Sequence, residues 1–360
     1  MQIKRFLRNA ILLAAAVAAA GCRDKPEIPV ERRDSITVFD RVHEITVPFA
    51  EADALPLASQ NLRSIATRNR DLLNPADSRS ELFYINRIGG GRSFPVSSET
   101  HRILLVCKRL SERTRGAFDI TAAPLAELWG FDGGAVPAEP VPDRVLRAAL
   151  RGVGSQQIEV VPETSQVRLQ TDQTRIALGE ILTSYTLDLT IIQLRQRGVD
   201  NILIDAGAIA RSQGSLAPEM PWTRPVQDPF LLGRALGEAS LDGGFGAASV
   251  SRNDRFVLIG ARHFNAVIDP RTGYPAEGTA AVHVFAPSAT DATALAQALF
   301  VVGVEEAPQI LAEFPRAHVL MIPDREPLGL WMTEGFEERF RLAPDVTAVI
   351  HRLNVDSSVL

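Results

Sequence analysis

Residues 116–131 read Gly-Ala-Phe-Asp-Ile-Thr-Ala-Ala-Pro-Leu-Ala-Glu-Leu-Trp-Gly-Phe, and this stretch is the most informative part of the sequence. Its opening glycine can adopt backbone angles that other residues avoid, which predicts a turn. Asp119 and Thr121 favour helix caps, and Pro124 suits a first helical turn. The stretch ends at Trp129-Gly130-Phe131, where two large rings flank a glycine. These residues alone predict a capped helical turn packed by aromatic side chains.

Composition excludes some classes of protein. With 360 residues, 46% of them hydrophobic, the chain can bury the core of one large domain or of two interleaved halves. The net charge of −5 comes from interspersed residues of both signs, so no basic surface for nucleic acid is expected. The sequence contains no repeat, zinc-ligand spacing or P-loop.

The first 22 residues predict an export signal. A basic start is followed by the apolar stretch 10–20, which is too short to span a membrane as a mature helix. It ends Ala19-Ala20-Gly21-Cys22, which resembles a bacterial lipobox. We therefore expect Cys22 to carry a lipid anchor on the periplasmic side of a bacterial cell envelope. The alternative is an ordinary cleaved signal peptide with a coincidental cysteine.

The remainder divides into a charged tether (23–35), one domain (36–342) and a C-terminal tail (343–360). With Cys22 lipidated, Cys107 has no disulfide partner, and its apolar neighbours predict a buried, inert thiol. Apolar periodicity predicts helices and strands in alternation, which indicates a mixed α+β domain. The helices are expected at 52–73, 143–150, 180–197 and 291–302; the strands at 36–47, 158–161, 167–169, 201–205, 256–259, 265–268, 282–285 and 319–322; and a loop at 218–229.

Two motifs resemble those of a known family. Residues 116–131 are similar to the GAFDPT…PL…LWGF signature of the FAD:protein FMN transferases, the ApbE-like proteins, and Ile268–Gly273 resembles their IDPRTG turn. The resemblance covers residues 36–342 and implies a two-lobed, T-fold-like α+β architecture. Members move FMN from FAD onto a threonine of an acceptor protein, such as part of a redox complex, and release AMP with the help of magnesium. The residues implied to contact the flavin nucleotide are Ala117, Phe118, Asp119, Thr183 and Ile268. From the residues alone, Asp119 could equally be a structural cap.

The chain departs from the family pattern where charge is needed. The pattern DLGGIAKGYAVD falls on residues 177–188, with Ala177 in place of the aspartate and Thr183 in place of the lysine. Glu180 occupies the position that offers a backbone oxygen to the metal. Its carboxylate could bind a cation, or its role could be limited to a favourable interaction with the helix dipole. Without a cation beside it, this carboxylate would repel the phosphates.

The second helix that holds the metal in the family also departs. Its aspartate and threonine fall on Thr293 and Gln297, four residues apart on one helix face. Asp291, two residues earlier, could approach a metal only if the helix has not begun there, and helix capping is its other role. The candidate metal ligands are therefore Glu180, Thr293, Gln297 and Asp291.

Three further positions differ. The family's AGGD segment corresponds to Ala206–Ile209, where Ile209 replaces the acidic residue. Its TSG turn corresponds to Ala248–Val250, where Val250 replaces the glycine. Its histidine three residues before Asp269 is Ala266, and His263 would face the other side of a regular strand.

Three functions remain open on the sequence. The first is a working transferase, with FAD and magnesium, that has rebuilt its metal site around Glu180, Asp291 or both. The second is a degenerate member that binds a flavin nucleotide or a redox partner without transfer. The third is a structural or assembly lipoprotein that needs no cofactor.

Overall fold

The computed structural model describes residues 31–161, 163–241 and 243–354. The predicted signal and Cys22 lie outside these residues. The α-helices are α1 (Ala54–Leu73), α2 (Glu81–Ile88), α3 (Ser98–Arg113), α4 (Ala123–Leu128), α5 (Asp143–Ala149), α6 (Glu180–Gln196), α7 (Ala289–Leu311) and α8 (Glu334–Glu337). The first strands are β1 (Glu31–Val38), β2 (Arg41–Pro48), β3 (Ser93–Pro95), β4 (Ile158–Val161), β5 (Gln166–Leu169), β6 (Ile202–Asp205), β7 (Ile209–Gln213) and β8 (Trp222–Gln227). The others are β9 (Ala235–Leu241), β10 (Gly246–Ser251), β11 (Phe256–Ile259), β12 (Arg262–Asn265), β13 (Thr279–Ala286), β14 (His318–Pro323), β15 (Gly329–Met332), β16 (Phe340–Leu342) and β17 (Val349–Arg352).

A large sheet in the order β1-β2-β6-β7-β10-β13-β14-β15-β17 organises the described residues. Its neighbouring strands are antiparallel except for β15 and β17, which are parallel. Helices α1, α6 and α7 pack on one face, and the small sheet β16-β9-β8 packs on the other. Two further small sheets, β3-β5-β4 and β11-β12, lie outside the large one. The predicted mixed α+β fold is confirmed.

Helix α7 forms the centre of the main core. Ser288 is its N-cap, and its Oγ accepts a hydrogen bond from the backbone N–H of Asp291 (2.9 Å). The helix breaks at Gly303, whose φ of 71° lies outside the helical region, as the sequence predicted. By length and hydropathy α7 could cross a membrane, but 56% of that window is buried. Its alanine and leucine side chains pack with β10 and β13, so α7 is a core helix here.

Trp129 is a packing anchor, as predicted. Its side chain is fully buried, its ring centroid lies 5.2 Å from that of Phe264, and its Nε1 donates to the carbonyl of Gly273 at 2.9 Å. This bond ties the GAFD…LWGF stretch to the IDPRTG turn. The predicted caps are wrong, because the N-cap of α4 is Ala122 and no side chain caps the helix. Pro124 does occupy the first helical turn.

The predicted domain boundaries need correction at both ends. Strand β1 begins at Glu31, so residues 31–35 of the predicted tether belong to the sheet. The predicted strand 36–47 is part of a hairpin that turns at Phe39 and Asp40, which have φ of 50° and 57°. At the other end, the predicted tail contains β17, which pairs with β15, and Leu353 is buried.

Most of the predicted elements are confirmed within a few residues. Two assignments are wrong. The predicted loop 218–229 contains β8, and in place of the predicted strand 265–268 the structure has β12, which ends at Asn265. Cys107 is buried in the main core, and this burial raises the pKa of its thiol, so the predicted inert cysteine is confirmed.

Candidate active site at the Arg41 end of the sheet

Several separate segments meet at one end of the large sheet, which we call the Arg41 end. Strands β2 and β6 are antiparallel with Glu44 opposite Asp205, so the β1–β2 turn lies beside the loop after β6. The backbone N–H of Ser249 donates to the carbonyl of Ala208 at 2.8 Å, which adds the last part of β10. The segments that replace the family's AGGD and TSG segments are therefore neighbours.

The GAFD stretch reaches the same place through the start of α6. The N–H of Ala177 donates to the carbonyl of Ile120 at 2.9 Å. On its other side, the position where a side chain would begin at Gly116 lies 3.8 Å from Cγ of Arg271. The GAFD stretch thus lies between the start of α6 and the IDPRTG turn.

Arg41 and Glu180 form a bidentate ion pair at the mouth of this region. Nη1 of Arg41 donates to Oε2 of Glu180 at 2.9 Å, and Nη2 donates to Oε1 at 2.7 Å. Glu180 is the first residue of α6, so its carboxylate also interacts favourably with the positive end of the helix dipole. Asp254 lies near the pair: partial desolvation raises the pKa of its carboxyl, the Ser251 N–H opposes this, and the charges of Glu180 and Arg41 raise and lower the pKa by smaller amounts. No local sequence pattern indicates Arg41, because 139 residues separate it from Glu180.

Asp188 fixes α6 against the start of α7. Its carboxylate accepts hydrogen bonds from the N–H groups of Ala289 and Thr290, both at 2.9 Å, and from the Thr290 hydroxyl at 2.6 Å. Nε of Arg211 lies 2.9 Å from the same carboxylate. These contacts satisfy the free N–H groups at the start of α7. They also fix the position of the start of α7 along the axis of α6.

Comparison with known proteins identifies the family. The ApbE family model matches residues 35–321. The chain belongs to the ApbE family. The FAD:protein FMN transferase of Klebsiella pneumoniae (strain 342) is 29% identical over 340 residues, covering 91% of this chain and 96% of that protein. The FAD:protein FMN transferase of Escherichia coli (strain K12) is 25% identical over 334 residues, covering 91% and 95%.

Solved ApbE structures have the same fold. The crystal structure of the ApbE protein from Thermotoga maritima superimposes with a TM-score of 0.76 at 25% identity, covering 87% of this chain and all of that one. The flavin transferase ApbE from Vibrio cholerae gives a TM-score of 0.74 at 22% identity, covering 86% and 99%. The predicted ApbE-like architecture is confirmed.

The side chains predicted to contact the flavin nucleotide are largely buried. Asp119 accepts hydrogen bonds from the Ser111 hydroxyl (2.6 Å) and the Thr121 N–H (2.8 Å), so its carboxylate holds its own segment in shape. A nucleotide would therefore meet mainly backbone groups here, and direct contact remains a prediction. The relative exposures are 1% for Ala117, 4% for Phe118, 7% for Asp119, 6% for Thr183 and 8% for Ile268.

The predicted metal site around Glu180 and Asp291 together is wrong. Glu180 precedes Asp188 by eight residues, which is about 12 Å along an α-helix. Asp188 binds Thr290, and Asp291 is the next residue, so Asp291 lies near the Asp188 level of α6. The carboxylates of Glu180 and Asp291 are therefore separated along the axis of α6. Asp291 is also not the cap of α7, since Ser288 has that role and Asp291 already lies within the helix.

The other candidate ligands do not form a metal site either. Thr293 is buried, and its hydroxyl donates to the carbonyl of Ala289 at 2.8 Å. Gln297 has an amide side chain, which carries no charge. Among the described residues, no group of three or more His, Cys, Asp or Glu could hold a metal ion. Magnesium prefers carboxylate oxygens, and of the candidate ligands Glu180 is already paired with Arg41 while Thr293 and Gln297 carry no charge. The magnesium ion implied by the family resemblance therefore does not fit these residues.

A second cleft lies beside β12, where the family's histidine is missing. It has a volume of about 280 Å³, and its wall includes His263 and Asn265. The His263 ring packs on Phe256 with ring centroids 4.4 Å apart. The arginines of this cleft are already paired, Arg252 with Asp324 and Arg262 with Glu277. Positive and negative side chains thus alternate along the described wall of this cleft.

Proposed function

We propose that this protein is an FAD:protein FMN transferase. It would move FMN from FAD onto a threonine hydroxyl of an acceptor protein and release AMP. The observation that carries the proposal is the meeting of the GAFD stretch, the start of α6 and the IDPRTG turn at the Arg41 end. The alignment with the Klebsiella pneumoniae transferase over 91% of the chain supports it.

In this reaction, the threonine oxygen forms a bond to the phosphorus of the FMN moiety. The bond from that phosphorus to the bridging oxygen breaks, AMP leaves with the bonding electrons, and the hydroxyl proton passes to a base. The chain's own residues would orient the nucleotide: the GAFD backbone held by Asp119, the first turn of α6, and the turn held by Trp129. Since magnesium does not fit the described residues, no step is assigned to it.

Binding of a flavin nucleotide without transfer is the second candidate. A specific observation favours it: the family's histidine and lysine are replaced by Ala266 and Thr183, neither of which can take a proton or neutralise a phosphate. Both candidates predict FAD binding at the Arg41 end. They differ only in whether flavin becomes covalently attached to another protein.

Deleting the gene in its host separates the two candidates without knowledge of the acceptor. Membrane proteins are resolved on a denaturing gel, and covalently bound flavin is detected by its fluorescence. A transferase predicts that one or more fluorescent bands disappear and that the wild-type gene restores them. An unchanged band pattern would exclude the transferase role, and FAD binding by the purified protein would then support the second candidate.

The proposal also includes the cellular location of the protein. The lipobox-like sequence before Cys22 supports acylation of that cysteine and attachment to the cell envelope on the periplasmic side. Stable anchoring requires more than one acyl chain. An acceptor in a membrane redox complex would then lie within reach.

A further inference from the structure

Glu180 raises an electrostatic problem for the proposed function. A nucleotide pyrophosphate at the start of α6 would meet a carboxylate on the first residue of that helix. Two like charges at contact distance oppose binding unless a cation lies between them. At the positions that the family resemblance assigns to the metal, Thr293 and Gln297 carry no charge, and the Glu180 carboxylate is already paired with Arg41.

Arg41 is the cation that the structure does supply. Both of its terminal nitrogens bind Glu180, at 2.9 and 2.7 Å, and this two-point contact fixes the plane of the guanidinium. The side chain remains 36% exposed. A guanidinium carries five N–H donors, so the two bonds to Glu180 leave donors for a second anion. Its planar geometry suits phosphate oxygens.

The backbone places Arg41 firmly. It is the first residue of β2, directly after the tight turn at Phe39 and Asp40, and pairs with Val38 across the hairpin. Strand β2 is in turn held by β6 inside the large sheet. The charge is therefore carried by the first residue of a strand, beside the turn of the hairpin.

We propose that Arg41, held by Glu180, supplies the positive charge for the FAD pyrophosphate that the family resemblance assigns to magnesium. FAD binding by this protein is then independent of divalent cations. The inference rests on the proposed function only for the identity of the ligand, and it holds for a transferase and for a flavin-binding protein alike.

The test is a titration of the purified full chain with FAD, in EDTA and in magnesium. Wild-type affinity should be the same in both within about twofold, and Arg41→Gln should weaken it at least about tenfold, or about 1.4 kcal/mol. Arg168→Gln is the matched control, because Arg168 also pairs with a glutamate and its side chain is 39% exposed. This control should leave FAD affinity unchanged. A wild type that needs magnesium for binding, or an Arg41→Gln variant that binds as well as wild type, would overturn the inference.

A titration with Mn²⁺ alone, followed by electron paramagnetic resonance, keeps the inference testable if no FAD binds. Absence of FAD binding in either buffer would refute the proposed function. The inference still predicts that wild type has no Mn²⁺ site at Glu180. Stoichiometric Mn²⁺ binding that Glu180→Gln removes would overturn it, whatever the result with FAD.

Discussion

At the residue scale, Trp129 connects the two motifs that define the family. Trp129→Ala should lower the free energy of unfolding by about 3–5 kcal/mol, because it removes a large buried ring. Trp129→Phe keeps most of the packing and loses the bond to Gly273, which should cost about 1 kcal/mol. Urea denaturation measures both. An alanine variant as stable as wild type would show that the ring is not a packing anchor.

His283 should make the protein sensitive to acid. Burial, and then the charge of Arg224, lowers the pKa of His283 to about 4, and its Nε2 has no hydrogen-bond partner among the described residues. The unfolded chain, with a histidine pKa of about 6.5, then binds the proton more readily. The free energy of unfolding should therefore fall as pH drops from about 6.5 to 4, by up to about 3 kcal/mol.

The variant His283→Leu isolates this effect. It should remove most of the pH dependence in that range, as measured by urea denaturation at several pH values. Burial also lowers the pKa of His43, so a smaller dependence of the same sign should remain. His101→Leu, at a partly exposed histidine of α3, is the control and should keep the wild-type dependence. An unchanged profile for His283→Leu would contradict the assignment.

The burial of a single residue was predictable from the sequence where its neighbours along the chain are apolar. Trp129 and Cys107 lie in apolar runs, and both are buried. Asp119 was not predictable in the same way, because it lies in a turn and its partner Ser111 lies on α3. Arg41 was missed altogether, since pairing with a residue 139 positions away leaves no local pattern.

At the element scale, the contact between α6 and α7 depends on Asp188. Asp188→Asn removes the charge opposite Arg211 and at most keeps some of the bonds to Ala289 and Thr290. Leaving a buried arginine without its partner typically costs about 3–5 kcal/mol. Thermal or urea denaturation of the variant should show a loss of this size.

An exposed aspartate provides the control for this prediction. Asp77 also accepts from an arginine, Arg79, whose side chain is 86% exposed. Solvent-exposed ion pairs contribute little, so Asp77→Asn should leave stability nearly unchanged. Equal effects of the two substitutions would show that Asp188 does not hold the helices together.

Strong periodicity explains which elements were predictable. Helix α6 and the β4–β5 hairpin have clear apolar patterns and lie where expected. Strand β8 was taken for a loop because it contains Pro225, which is tolerated because β8 is an edge strand of its small sheet. Strand β17 was missed because it is short and largely exposed at the edge of the large sheet.

The candidate site was only partly predictable for a related reason. The motifs identified the segments that meet at the Arg41 end. They could not show that Asp188 sets α7 so that Asp291 and Glu180 lie at different heights. Relative helix height depends on tertiary hydrogen bonds, which a sequence pattern does not encode.

At the scale of the whole molecule, the described chain starts far from the candidate site. Strand β1 begins at Glu31, opposite Pro48, whereas Arg41 lies at the other end of the same hairpin. The first described strand therefore enters the sheet at the end opposite the Arg41 end.

The proposed anchor can be tested by fractionation. Wild-type protein should sediment with membranes, and Cys22→Ala should be released to the soluble fraction or accumulate as an unprocessed precursor. Mass spectrometry of the mature N-terminus distinguishes these forms. A processed Cys22→Ala variant that stays with membranes as wild type does would contradict lipid anchoring.

The most direct test of the proposed function is a reconstitution with membranes from the gene-deletion strain. The purified protein is added with FAD, and AMP release and protein-bound flavin fluorescence are measured together. The account predicts AMP and covalent flavin in equal amounts, both strongly reduced for Arg41→Gln and unaffected by EDTA. FAD binding by the purified protein without any AMP or covalent flavin would contradict the transferase function.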